Sequence, residues 1–240
     1  MNTSTAMLLP YQQAWVFDEA AVCVYEKSRR IGISWASACL AVLHAMAEKG
    51  MDVWYVGYNR EMAQEFVRDS AFWARQFGVI AERFAETVID REDRDILQFG
   101  IKFASGYRIT ALSSKPSNLR GKQGLVILDE AAFHDQLDEL LKAAMALLIW
   151  GGKVRIVSTH DGVDNPFNQL CQDIRAGRKP YTLHRTTFDE AIADGLYRRI
   201  CQMRGLTWTA AAEEAWVAGI YHEYLSLIHI SEPTRQAEIS

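Results

Sequence analysis

Four short apolar runs, interleaved with stretches of helical periodicity, constrain the fold of this 240-residue chain more than any other feature. They are AVCVYE (21–26), DVWYVGY (52–58), GLVILDE (124–130) and KVRIVSTH (153–160), with a last strand predicted at YTLHRTTF (181–188). Strands that are apolar throughout are buried on both faces, and strands that alternate with helices form a mainly parallel sheet. WASACLAVLHAMAEKG (35–50) and REMAQEFVRDSAFWARQFG (60–78) carry apolar residues at helical spacing and stop at glycines. QLDELLKAAMALLIW (136–150) reads as a helix halted by Gly151-Gly152, and Pro166 suits the first turn of PFNQLCQDIRAG. LQFGIKFASGYRITAL (97–112) is predicted as a hairpin turning at Ser105-Gly106, and DREDRD (90–95) as a solvated loop. The expected fold class is α/β, a mainly parallel central sheet flanked by helices.

Composition narrows the function. The chain is 49% hydrophobic and 23% charged, ordinary globular usage that supports a core and argues against disorder. A net charge of -4 excludes a uniformly basic nucleic-acid binder, so any DNA contact uses a local patch or is transient. Cys23, Cys39, Cys171 and Cys201 form no C-x-x-C pair and read as buried free thiols in a reducing compartment. No run approaches the roughly 18 apolar residues of a membrane span, and the N-terminus lacks the pattern of a signal peptide. A soluble cytoplasmic protein is expected.

The chemistry is concentrated in EKSRRIGISW (26–35), a basic, glycine-containing turn between a strand and a helix that opens on Ser34. This is the setting of a phosphate-binding loop, in which unpaired helix N–H groups and the positive end of the helix dipole face an anion. The usual lysine is missing, because Ile33 stands between Gly32 and Ser34. A phosphate loop curls around its ligand, so Lys27 at its entrance can supply the ammonium, and Arg29 and Arg30 can add guanidinium forks. Taken alone, a basic turn capping a solvated helix explains the stretch better. About one hundred residues later, LVILDE ends in Asp129 and Glu130. The first is a candidate Mg²⁺ anchor together with Ser34, and the second a candidate base for the attacking water. Ser158 and Thr159 end another buried strand, where ligands of parallel sheets sit, although a plain strand-to-loop transition accounts for them equally. Gln12 and Gln13, shortly before the first strand, each offer an amide that could read an adenine edge, or are surface residues of an N-terminal arm.

Together LLPYQQAW, KSRRIGIS, NLRGKQGLVILDEAAF, VSTHDGVDNPF and TFDEAIADGLYRRI resemble the large subunit of phage terminase, above all its Mu-like branch, over roughly residues 8 to 224. The resemblance implies an additional-strand (ASCE-type) P-loop ATPase in which ATP hydrolysis with Mg²⁺ drives double-stranded DNA into a procapsid. It implies a loop of Lys27, Ser28, Arg29, Arg30, Ile31, Gly32, Ile33 and Ser34, with Lys27, Arg30 and Glu130 catalytic, Ser34 and Asp129 on the metal, and Gln13, Ser158 and Thr159 also at the nucleotide. The implied partners are DNA, the portal protein, the small terminase subunit and further copies in a homo-oligomeric ring, in the cytoplasm of a bacterial host.

Residues 1–188 are expected to form the ATPase domain and 189–224 a helical segment leading toward a nuclease domain missing here. Asp189, Glu190 and Asp194 lie in a helical pattern, so no DNA cleavage is expected. Residues 225–240, LSLIHISEPTRQAEIS, resemble a translated sequencing adapter and are read as an artefactual tail. Lys102, Arg108, Lys115, Arg120 and Lys122 either touch DNA or a neighbouring subunit, or are solvated hairpin charges. Two other functions fit the same sheet: a helicase-like DNA remodeller, and a truncated nucleotide-binding or assembly module without turnover.

Overall fold

The computed structural model describes residues 7–79, 81–89 and 95–228, the backbone alone for 81–89, 95–98 and 224–228. In chain order the elements are α1 (Pro10–Val16), β1 (Val22–Lys27), α2 (Ile33–Met46), β2 (Val53–Val56), α3 (Arg60–Gln76) and β3 (Ala81–Ile89). Then follow β4 (Asp95–Phe103), β5 (Arg108–Leu112), β6 (Leu125–Asp129), α4 (Leu137–Met145), β7 (Lys153–Ser158) and α5 (Pro166–Arg175). The chain continues through β8 (Thr182–Thr186), α6 (Phe188–Ala193), α7 (Leu196–Arg204) and α8 (Ala210–Ile228).

The apolar runs form the centre of one eight-stranded sheet in the order β3-β4-β5-β2-β6-β7-β1-β8. β1, β2 and β6 are buried at every residue. Alternation along them feeds two cores, one on each face of the sheet. Cys23, Tyr25, Val53, Tyr55, Leu125 and Ile127 face α2 and α3, whereas Val22, Val24, Trp54, Val56, Val126 and Leu128 face α4 and α5. From β5 through β8 all neighbouring strands are parallel, and the antiparallel part is confined to β3, β4 and β5. The hairpin turns at Ser105-Gly106 as expected, with Gly106 at φ 92°. Strand β3 has no counterpart in the sequence reading. The charged run at 90–95 falls outside the described residues except for Asp95, which opens β4.

The predicted helix over 136–150 is shorter: α4 ends at Met145 and a 3-10 turn, Ala146–Trp150, follows. Gly151 at φ 79° closes that turn and leaves Ile149 and Trp150 exposed. All four cysteines are buried and unpaired. No helix among the described residues is long and apolar enough to cross a membrane. The boundary at 188/189 falls inside α6, whose Ala191 joins the main core with Leu196 of α7. Arg199 of α7 also donates to the Met7 carbonyl at 2.8 Å. Residues 225–228 continue α8, and 229–240 lie outside the described residues.

A charge also sits inside the core. Arg155 on β7 is fully buried, and its guanidinium donates to the carbonyls of Asp18 (2.7 Å) and Ala20 (2.9 Å) while lying over Trp15. Asp18, Cys23 and His184 converge beside it, with Asp18 bonded to His184 at 2.8 Å. The adjacent guanidinium opposes a cation there and burial pushes the Cys23 thiol up to about 12, so this group reads as a structural tie between the chain before β1 and β8. Burial, with the nearby charges of Lys153 and Arg155, lowers His44 of α2 to about 4. The unfolded chain therefore binds more protons between about pH 6.5 and 4, and the stability this neutral histidine contributes is complete above that window and lost as pH falls through it. Chemical denaturation from pH 7 to 5 should show that loss, up to ~2 kcal/mol, and His44→Gln should flatten it.

Candidate nucleotide site

Strand order places the chemistry. β7 lies between β1 and β6, with Glu26 opposite Ser158 and Asp129 opposite Val157. The carboxyl ends of these three strands thus form one edge, carrying Lys27, Ser158 and Asp129. β1 then turns through residues 28–32 into α2. Arg30 at φ 61° and Gly32 at φ 78° take left-handed conformations that curl this turn. A side chain at Gly32 would also meet the Gln12 amide at 2.8 Å. Among the described residues no side chain caps α2, which leaves its first N–H groups open toward the curl.

The turn is held from behind by α1. The Tyr11 hydroxyl donates to the Ile31 carbonyl at 2.6 Å, and the Gln12 amide donates to the carbonyls of Ile31 and Gly32, both at 3.2 Å. Gln13 does not join the site: its amide is spent on the Leu8 carbonyl at 2.8 Å, and the glutamine that reaches the loop is its neighbour. Helical geometry is the reason, because adjacent residues point about 100° apart and Gln12 alone lies on the buried face. Ile31 and Ile33 are both buried in the core beneath the loop, so position 33 cannot carry a charge toward a phosphate.

Lys27 can. Its Nζ, nearly buried, donates to Glu130 Oε1 at 2.8 Å across the edge. Glu130 itself has φ 50°, a left-handed conformation costing a non-glycine residue about 1–2 kcal/mol. The surroundings hold it there. Glu130 N–H donates to Asp129 Oδ1 (2.9 Å), Ala132 N–H donates to the Ser158 hydroxyl (3.0 Å), and the Asn165 amide donates to the Ala132 carbonyl (2.8 Å). Glu130 Oε2 is buried without a hydrogen-bond partner among the described residues.

Asp129 is 1% exposed. Burial raises its pKa and the charge of Glu130 raises it further, against the Lys27 ammonium and hydrogen bonds from Ser34 and Tyr55. Hydroxyl and carboxylate oxygens from Ser34 and Asp129, beside an orphaned buried carboxylate oxygen, form a hard donor set that fits Mg²⁺ with a phosphate. Among the other sequence-predicted residues, Ser28 is half-buried, Arg29 and Arg30 are exposed at the mouth of the turn, and Thr159 is buried beside Ser158. Of the basic residues between 102 and 122, Arg108 and Lys122 lie over the Trp54 ring at 5.4 and 4.4 Å.

Sequence reasoning missed a second layer. The Tyr55 hydroxyl donates to Asp129 Oδ2 at 3.0 Å. Glu26, beside Lys27, bonds His160 at 2.6 Å and pairs with Arg175. Burial alone would raise the Glu26 carboxyl, but His160 and Arg175 hold it below the usual range. A tyrosine and a glutamate inside fully buried strands were the available signals, since each needs a polar partner there.

A parallel sheet with an added strand between the loop strand and the acidic strand, and a curled basic turn feeding a helix N-terminus, defines the P-loop NTPase fold of ASCE type. Within that class the chain belongs to the terminase large-subunit family: the model described as "Terminase large subunit, T4likevirus-type, N-terminal" matches residues 24–216. It is 54% identical over 221 residues to "Mu-like prophage FluMu protein gp28" of Haemophilus influenzae, covering 91% of this chain and 44% of that protein. It is 52% identical over 222 residues to "Probable terminase, large subunit gp28" of Escherichia phage Mu, covering 90% and 40%. The chain thus spans less than half the length of these relatives. Among solved structures it is similar to a large terminase from a thermophilic bacteriophage in complex with ADP, at TM-score 0.58 and 14% identity, over 81% of this chain and 50% of that one. It is also similar to the large terminase ATPase domain of a Thermus phage, at TM-score 0.55 and 21% identity, over 85% and 89%.

Proposed function

We propose that this chain is the ATP-hydrolysing motor part of a phage large terminase, driving double-stranded DNA into a procapsid. The observation that carries the reading is the convergence of Lys27, Glu130, Asp129 and Ser34 at one edge of the sheet. ATP lays its phosphates on residues 28–32 and the N-terminus of α2. Ser34 and Asp129 would hold Mg²⁺, which when bound neutralises charge on the β- and γ-phosphates.

Lys27 then changes partner, leaving Glu130 for the phosphate oxygens. Glu130, no longer neutralised, orients the attacking water and accepts its proton. Arg30, with Arg29, adds guanidinium contacts from the mouth of the turn. Ser158 and Thr159 follow the γ-phosphate. Because Ser158 already accepts the Ala132 N–H, any shift there is passed to the backbone that holds Glu130.

Family membership supports the partners: DNA, portal protein, small terminase subunit and further copies in a ring, in the cytoplasm of a bacterial host. We attach no DNA cleavage to the described residues, which after β8 form helices only. The adapter reading of 225–240 is tested by sequencing the source locus.

The motor reading is tested by steady-state ATP hydrolysis and ADP binding, with and without double-stranded DNA. Turnover that rises with duplex DNA is the expected result. Binding without turnover would favour the assembly module, unwinding of a forked duplex the helicase, and no nucleotide binding would overturn the site.

A further inference from the structure

Tyr55 lies on β2, the neighbour of the acidic strand, with Ile127 opposite it in the register. It is 1% exposed, yet its hydroxyl has a charged partner, Asp129 Oδ2 at 3.0 Å. The ring is fixed independently of that bond. Phe66 of α3 stacks on it with centroids 3.8 Å apart and planes at 12°. Gly57, two residues further on, also leaves room: a Cβ there would meet the Tyr55 ring at 2.9 Å and its hydroxyl at 3.1 Å. A stacked ring and a vacated neighbour therefore deliver one O–H to one carboxylate oxygen. The other Asp129 oxygen is engaged by the Glu130 N–H at 2.9 Å. Donors on both oxygens set the orientation of the carboxylate plane.

We propose that Tyr55 is a positioning residue for the metal carboxylate, setting the orientation in which Asp129 meets Mg²⁺. The inference rests on the reading of Asp129 as a metal ligand. Tyr55 touches neither phosphate nor metal; it acts through Asp129 alone. A hydrogen bond to a charged group in a buried site is strong enough to matter, and its loss frees a torsion that the metal must then fix. The phenotype is accordingly specific: affinity that depends on Mg²⁺ should fall, and affinity for nucleotide without metal should not.

Equilibrium binding of a fluorescent ADP, in Mg²⁺ and in EDTA, tests this on the full chain with three variants. Tyr55→Phe keeps the stacked ring and loses the hydroxyl. It should weaken binding in Mg²⁺ by about tenfold, leave binding in EDTA unchanged, and require correspondingly more Mg²⁺ to reach half-maximal affinity. Gly57→Ala should shift the same Mg²⁺ dependence by crowding the ring, since the atoms nearest its added Cβ belong to Tyr55 and Met62 and not to Asp129. Asp129→Asn should abolish the Mg²⁺ dependence altogether. If Asp129→Asn loses that dependence while Tyr55→Phe stays within twofold of the parent, the positioning role is wrong and the metal reading stands. Should Asp129→Asn respond to Mg²⁺ as the parent does, the metal reading fails and the role of Tyr55 with it. Equal weakening of Tyr55→Phe in Mg²⁺ and EDTA would mark a merely structural residue, and would also overturn the proposal.

Discussion

Lys27→Ala is expected to lose nucleotide binding and turnover together, with kcat/KM falling at least ~10²–10³-fold. No other cation can take its place from inside the loop, because Ile31 and Ile33 are turned into the core and Arg29 and Arg30 stand at the exposed mouth. The variant carries a second cost. Glu130 is left as a largely buried carboxylate without its partner, so thermal stability should fall as well. Adding Glu130→Gln to Lys27→Ala should restore much of that stability without restoring ADP binding, which separates folding from function. Normal ATP hydrolysis by Lys27→Ala would show that the charge comes from elsewhere, Arg30 being the next residue to substitute.

Glu130→Gln should have the opposite signature in binding. Turnover drops by about 10²–10⁴, the usual worth of a general base. ADP affinity, however, should rise by about tenfold. In the parent chain an incoming phosphate must draw Lys27 away from a carboxylate 2.8 Å distant, within a pair whose side chains are 6% and 25% exposed. A neutral amide at position 130 removes that competitor. Isothermal titration with ADP reads the effect without interference from hydrolysis. Unchanged or weakened ADP affinity in Glu130→Gln would mean that the Lys27–Glu130 pair does not guard the empty site.

Much of this architecture is legible in the residues. VCVYE, VWYV, LVILD and, apart from Arg155, VRIVS carry apolar residues on both parities, and only strands covered on both faces need that. The parallel core of the sheet follows, and with it the edge where Lys27, Asp129 and Ser158 meet. What periodicity does not carry is strand order. That β7 inserts between β1 and β6 depends on long-range pairing, and in this chain it came from family resemblance. β3 was missed because the apolar residues of AERFAETVI fall at 81, 84, 85, 88 and 89, a helical spacing rather than a strand alternation. The site was half legible for a related reason. Lys27, Ser34, Asp129 and Glu130 stand at motif spacings. Gln12 and Gln13 are indistinguishable until the helix face is known, and the bond from Tyr55 to Asp129 joins residues 74 positions apart.

The burial of Ile33 bears on how such loops change over generations. Reintroducing the usual lysine at that position looks like the repair of a degenerate motif. Here it would thrust an ammonium into a core position that is 1% exposed, while Lys27 still occupied the place where the charge is wanted. Moving the lysine along the loop therefore needs a new floor beneath the turn, vacated at 33 and refilled at 27, before either intermediate is viable. A lysine placed at 33 alone is expected to cost stability without restoring the usual loop.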